Sequence, residues 1–232
     1  MVLKIVSFLL GGTWLVLNFA DNRAFDYPLI KKKYFFLVII APFILAEMVV
    51  QGSFFLNLKA HVITSCCGSL FSPEGQNVGG GLAALPSLPM KIVFYSAMAT
   101  TLASAVLFYS KGNGFGYFFS AMSVITFVVS IAAFISFICV YFYELPTHHC
   151  PFCILQKDYH YVGYPLYITL LGGAVSGAGA GLLVPARRIA SLKEIAPRIQ
   201  RKLAIMTIVS YGIFTLISTY PMISSDFRLE GY

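Results

Sequence analysis

Charge is what this chain has least of. Only 11% of its residues are Asp, Glu, Lys or Arg, and nine are acidic, against 58% apolar residues and a mean hydropathy of +0.81. So little polar surface excludes a soluble domain of 232 residues. No soluble module stands out along the chain. No Cys-x-x-Cys-His occurs, which removes covalent c-type haem. No small-x-small cleavage site follows the first apolar run, and Asn18 stands where a small residue is wanted. That run therefore reads as a retained helix. A cleaved leader would also deliver Arg23 and Lys31-Lys32-Lys33 to the outside, against the bias of positive loops toward the cytoplasm.

What is there is apolar length. Runs long enough to cross a hydrocarbon layer of about 30 Å lie near 34–56, 92–110, 116–143, 161–184 and 203–223, with a shorter one at 5–20. The expectation is an all-α, polytopic membrane protein, one integral domain of about six transmembrane helices with outer loops at 57–91 and 144–160. With both termini outside, the inner segments carry Arg23, Lys31, Lys32, Lys33, Lys111, Arg187, Arg188, Lys193, Arg198, Arg201 and Lys202, 11 of the 16 basic residues. The net charge of +7 then reflects orientation and attraction to anionic lipid, and nucleic acid is not needed to explain it. Cys66, Cys67, Cys150 and Cys153 all face the outer compartment, where disulfides persist. A bacterial inner membrane, with the cysteine loops toward the periplasm, fits this best.

The loops and helices carry further signals. Gly79-Gly80-Gly81 and prolines 73, 86 and 89 mark the first outer loop as irregular and mobile. Lys111-Gly112-Asn113-Gly114 is a tight inner turn between antiparallel neighbours. Ile189, Leu192 and Ile195, at helical spacing among basic residues, suit a segment lying on the membrane surface. Gly173, Gly177 and Gly181 give one helix a bare face for close packing. Tyr159, Tyr161, Tyr164 and Tyr167 read as an interfacial aromatic belt, and Cys139 as a small buried hydrophobe. Glu47, with Gln51 one turn away, is costly in a membrane helix, which marks a proton relay, a quinone neighbour or a carboxyl satisfied by another helix.

The chemistry concentrates in Thr147-His148-His149-Cys150-Pro151-Phe152-Cys153-Ile154-Leu155-Gln156-Lys157. Pro151 suits the first position of a helix, which makes Cys150 its N-cap and Cys153 its third residue. Free amides, His148, His149 and Lys157 would then favour the thiolate at Cys150. Lys157 follows Cys153 by four residues, on the same helical face, where it would hold a quinone oxygen. His160 beside it suits proton transfer or a plain interfacial place.

Cys150-Pro151-Phe152-Cys153-Ile154-Leu155-Gln156-Lys157 resembles the Cys-Pro-x-Cys-x-x-x-Arg motif of the disulfide bond formation protein B family, with Lys157 in the arginine's place. The resemblance covers about a dozen residues. It implies that Cys153 meets bound quinone, ubiquinone or menaquinone, that Cys150 is its disulfide partner, and that Lys157 stabilises charge on the quinone. Cys66-Cys67 precede the motif, an order that looks more like the vitamin K epoxide reductase family. There a loop pair relays electrons to a Cys-x-x-Cys opening the fourth core helix. That likeness implies a four-helix core of the helices beginning near Tyr34, Ile92, Gly116 and Tyr161. Two departures stand out: Cys66 and Cys67 are adjacent, so a disulfide between them closes a strained ring, and lysine lacks arginine's bidentate fork.

The function expected from this is a quinone-linked thiol:disulfide oxidoreductase. It takes electrons from a thioredoxin-like dithiol protein at Cys66 and Cys67 and passes them through Cys150 and Cys153. Two other readings use the same residues. His61, Cys66, Cys67, His148, His149, Cys150, Cys153 and His160 are soft ligands for copper, zinc or mercury, as in a metal-binding or transport protein. Alternatively, static outer bridges would make the chain a structural subunit of a membrane complex.

Overall fold

The computed structural model describes residues 2–58, 71, 78–111 and 114–229. Among them every regular element is helical, because lipid offers no water to backbone groups and a helix satisfies them internally. The helices are α1 (Val2–Asp21), α2 (Ile30–Leu56), α3 (Val78–Ala83), α4 (Ser87–Lys111), α5 (Gly116–Tyr143), α6 (Gly163–Leu182) and α7 (Ile195–Ser224). All but α3 are long and apolar enough to span a membrane. The chain is an all-α polytopic membrane protein, and its outward Phe, Leu, Ile and Val side chains are its lipid contact.

The core is a ring of four helices in chain order, α4 on α5, α5 on α6, α6 on α7, with α7 closing against α4. The expected core, which counted the helix near Tyr34, is corrected: α7 takes that place. Helix α2 buries only Ile40 and packs chiefly on α1, which in turn leans on α6. Close approach across the ring uses the glycine face of α6. A Cβ at Gly173 would sit 2.6 Å from the Tyr211 ring, and one at Gly177 would collide with Ser123. Tyr211 donates to Ser123 O at 2.8 Å, and Thr101 and Thr126 share a hydrogen bond of 2.7 Å. Each such interhelical bond contributes about 0.6 kcal/mol in a membrane interior.

Helix ends differ from the apolar runs because a helix does not stop where the hydrocarbon does. α2, α4 and α7 begin at Ile30, Ser87 and Ile195, several residues before 34, 92 and 203. Long basic side chains reach water from the added turns. The loop before α7 folds as two 3₁₀ turns, Pro185–Arg188 and Ala190–Leu192. The surface segment expected there is corrected too, since Leu192 is fully buried with Leu183, Ala196 and Phe108. Gly79-Gly80-Gly81 are not irregular but lie within α3.

The two ends of the bundle hold different chemistry. At the basic end, Asp21 is fully buried and pairs with Lys33 at 3.0 Å. It also accepts from Leu29 N at 2.7 Å, which closes the α1–α2 hairpin. Buried Gln200 donates to Ala180 O at 2.7 Å and accepts from Arg187, tying α7 to the end of α6. The first turn of α1 and the segment just past α7 lie at the opposite, cysteine end. Lys4 of α1 lines a cavity there together with Pro151, and Ser225, just past α7, donates to Glu144 at 2.6 Å.

Candidate functional site at the cysteine end

The segment carrying Cys150 and Cys153 is not the start of a helix. Cys153–Leu155 and Lys157–Tyr159 are separate 3₁₀ turns, divided by extended Gln156 (φ −82°, ψ 161°). His160 and Tyr161 then take left-handed backbone at φ 53° and 57°, which holds α6 back to Gly163. A Cβ at Gly163 would lie 2.8 Å from Ile154 and from Leu155, so this tight joint needs glycine. The N-cap reading of Cys150 is therefore corrected, and no helix dipole serves its thiol. Cys153 and Lys157 do not share a helical face either.

The loop is fixed instead through its backbone carbonyls. Tyr143 donates to Cys150 O and Tyr167 to Pro151 O, each at 2.6 Å. The Nδ1 of buried His149 lies 2.9 Å from Ile135 O. A carbonyl only accepts, so Nδ1 carries the proton. Ile135 O is in reach because α5 contains a π turn, Phe134–Ile138, closed by Cys139 N–H on Phe134 O. Such a turn inserts one residue and loosens the ladder where side chains can enter. Around it, the Tyr143 ring packs edge-on against His148 (4.5 Å) and Tyr159 (4.6 Å).

These contacts gather three thiols. Cys139 and Cys150 are fully buried and Cys153 is 9% exposed. All three belong to one core cluster with Phe134, Tyr143 and Leu166. Cys139 hydrogen-bonds Tyr143 and lies within electrostatic reach of Cys150 and Cys153. His148 does not supply the cation expected beside them. Burial, and then its electrostatic interaction with His149, hold its imidazole below its usual pKa.

A cavity of about 410 Å³ opens beside this cluster. Pro151 and Phe152, the two residues between the cysteines, form part of its wall, with Phe127, Phe134, Tyr167 and Leu170. That size and an aromatic, apolar lining suit a flat redox-active ring on a lipid-soluble tail. Among the described residues Lys4 is the one charged residue on the wall.

The other expected site residues are scattered. Lys157 and His160 are exposed on the loop and neither lines the cavity. Glu47 and Gln51 line a separate groove of about 530 Å³, which they share with Lys4. Cys66, Cys67 and His61 lie outside the described residues. Phe71, a few positions past Cys67, packs edge-on on Phe152 with ring centres 6.2 Å apart. Among the described residues no three His, Cys, Asp or Glu side chains converge as a metal site.

Sequence reasoning missed Tyr143, Tyr167, Cys139 and Lys4. Only Cys139 and Tyr143, four residues apart and so on one helical face, left a signal. No protein-family model, curated protein or solved structure gives a significant match to the chain.

Proposed function

We propose that the protein is a quinone-linked thiol:disulfide oxidoreductase, with Cys150 and Cys153 as the dithiol that faces the membrane acceptor. One observation carries this reading: the residues joining the two cysteines wall an apolar cavity of about 410 Å³. Oxidising the dithiol to a disulfide releases two electrons and two protons, and a quinone takes up both pairs to become a quinol. The chain's own residues prepare that exchange. Tyr143 and Tyr167 hold the loop by its carbonyls, His149 ties it to Ile135 O of α5, and Pro151 and Phe152 are thereby kept on the cavity wall. Phe134 and Tyr167, whose rings pack 5.3 Å apart, offer aromatic faces to a planar ligand.

The electrons arrive by thiol exchange from Cys66 and Cys67, which take them from a thioredoxin-like dithiol protein. Chain connectivity supports this relay. Phe71 packs on Phe152, and the four-residue step back to Cys67 spans at most about 14 Å. On this reading the cysteine end faces the periplasm of a bacterial inner membrane, and the basic end faces the cytoplasm. The metal-handling reading has less support, because among the described residues no three His, Cys, Asp or Glu side chains converge as a ligand set.

The test is anaerobic quinol formation by the purified protein supplied with a reduced thioredoxin-like donor. Wild type turns over and Cys153→Ser does not. Absence of turnover in wild type, with copper or zinc bound stoichiometrically and lost in the cysteine variants, would replace this reading with metal handling.

A further inference from the structure

We propose that Lys4 is the cation that holds the acceptor's carbonyl oxygen, the place that motif spacing assigns to Lys157. This rests on the quinone reading above and names the residue that binds the quinone's polar end. A quinone ring in an apolar cavity needs a donor for its oxygens, because an unmatched carbonyl in such a place loses its hydration without return.

Among the described residues two polar side chains line the cavity, Lys4 and Tyr167. The Tyr167 hydroxyl gives its single proton to Pro151 O at 2.6 Å, so it has none left for a ligand. The Lys4 ammonium has three protons, and among the described residues no hydrogen bond or ion pair engages it. Lys4 and Lys157 are both exposed, but Lys157 lies beyond extended Gln156 and off the cavity wall, whereas Lys4 is on it.

The surroundings of Lys4 explain how an ammonium is kept there. Ile5, its neighbour, packs on the cysteine-end core and fixes the first turn of α1 against the cavity. On the other side Lys4 lines the groove that holds Glu47 and Gln51 of α2. The polar side chains of Glu47 and Gln51 on that groove ease the cost of an ammonium near lipid. The α1–α2 hairpin stands outside the four-helix ring, and from there it presents Lys4 to the cavity with Glu47 behind it.

The experiment uses full-length protein in nanodiscs and decylubiquinone as the probe. Its equilibrium binding to the oxidised protein is measured beside KM and kcat for its reduction, for wild type, Lys4→Gln, Lys4→Arg and Lys157→Gln. Loss of one charge-assisted hydrogen bond predicts Kd and KM raised about tenfold or more in Lys4→Gln. Lys4→Arg keeps both within about threefold of wild type, and Lys157→Gln does the same. Thermal midpoints measured on the same samples separate lost binding from lost folding. Unchanged binding in Lys4→Gln, or an equal loss in Lys157→Gln, overturns the assignment. Wild type that binds decylubiquinone without reducing it refutes the redox reading but leaves Lys4 to be judged on Kd. Wild type that does not bind it overturns both.

Discussion

At the basic end, Asp21 is sealed against Lys33 and the Leu29 amide, and Gln200 joins Arg187 to the Ala180 carbonyl. At the cysteine end, no buried ion pair plays this part among the described residues. Aromatic hydroxyls and an imidazole reach across from α5, α6 and the loop itself to hold three carbonyls. The first arrangement closes loops by fixing side chains to one another. The second fixes a loop by its backbone and leaves the surroundings of the sulfurs apolar, beside a cavity that opens toward lipid. One end therefore supplies stability and orientation, and the other keeps reactive groups placed without committing them.

The sharpest way to break this comparison is to damage each end and read both properties. Cys150→Ser and Cys153→Ser should each lower quinone-reducing turnover by about a thousandfold or more, since a lone thiol cannot close the disulfide, with little change in thermal midpoint. Asp21→Ala should do the reverse. It takes the counter-charge from half-buried Lys33, leaving it only the Asn18 amide oxygen at 3.0 Å, and costs about 3 kcal/mol of stability, read by denaturation in detergent, while the folded fraction keeps its turnover. If Asp21→Ala abolished turnover per folded molecule, the two ends would not be separable.

His149→Phe sharpens the same point on a smaller scale. Removing the imidazole leaves Ile135 O without its donor, at a cost of about 1–3 kcal/mol. Turnover should fall several-fold as the loop loosens, and labelling of Cys150 by a maleimide should speed up. The smallest effect concerns pH. The folded-state pKa of His148 is held below its unfolded value by burial and by His149, so the unfolded chain binds the proton first as pH falls. Stability is full above the ordinary histidine pKa of about 6.5 and declines as pH drops from there toward the folded value. His148→Asn should flatten that slope, as measured by thermal midpoints across the acid range.

Much of the architecture was legible because membrane insertion writes itself into hydropathy. The spans, the separation of cysteines from basic residues and the packing face at Gly173 and Gly177 follow from patterns within single helices. The four-helix core was misread because apolar length does not reveal which helices touch: α2 is more apolar than α4, α6 or α7 but stands outside the ring. The site was half legible. Cys150-Pro151-Phe152-Cys153 was found by its spacing, but proline at a first helical position fits a 3₁₀ turn equally well, and the left-handed His160 and Tyr161 leave no signature. The hydroxyls of Tyr143 and Tyr167 bond carbonyls 7 and 16 residues away, and Lys4 comes from a helix remote in sequence. Such placements are products of packing, which spacing alone does not encode.

The most direct measurement is a single turnover without any partner protein. Pre-reduced protein is mixed anaerobically with one equivalent of decylubiquinone, quinol is followed by absorbance, and the thiols are mapped by alkylation and mass spectrometry. The account predicts one quinol formed for each Cys150–Cys153 disulfide, with neither product in Cys153→Ser. Quinone left unreduced while Cys150 and Cys153 remain alkylatable thiols would contradict it.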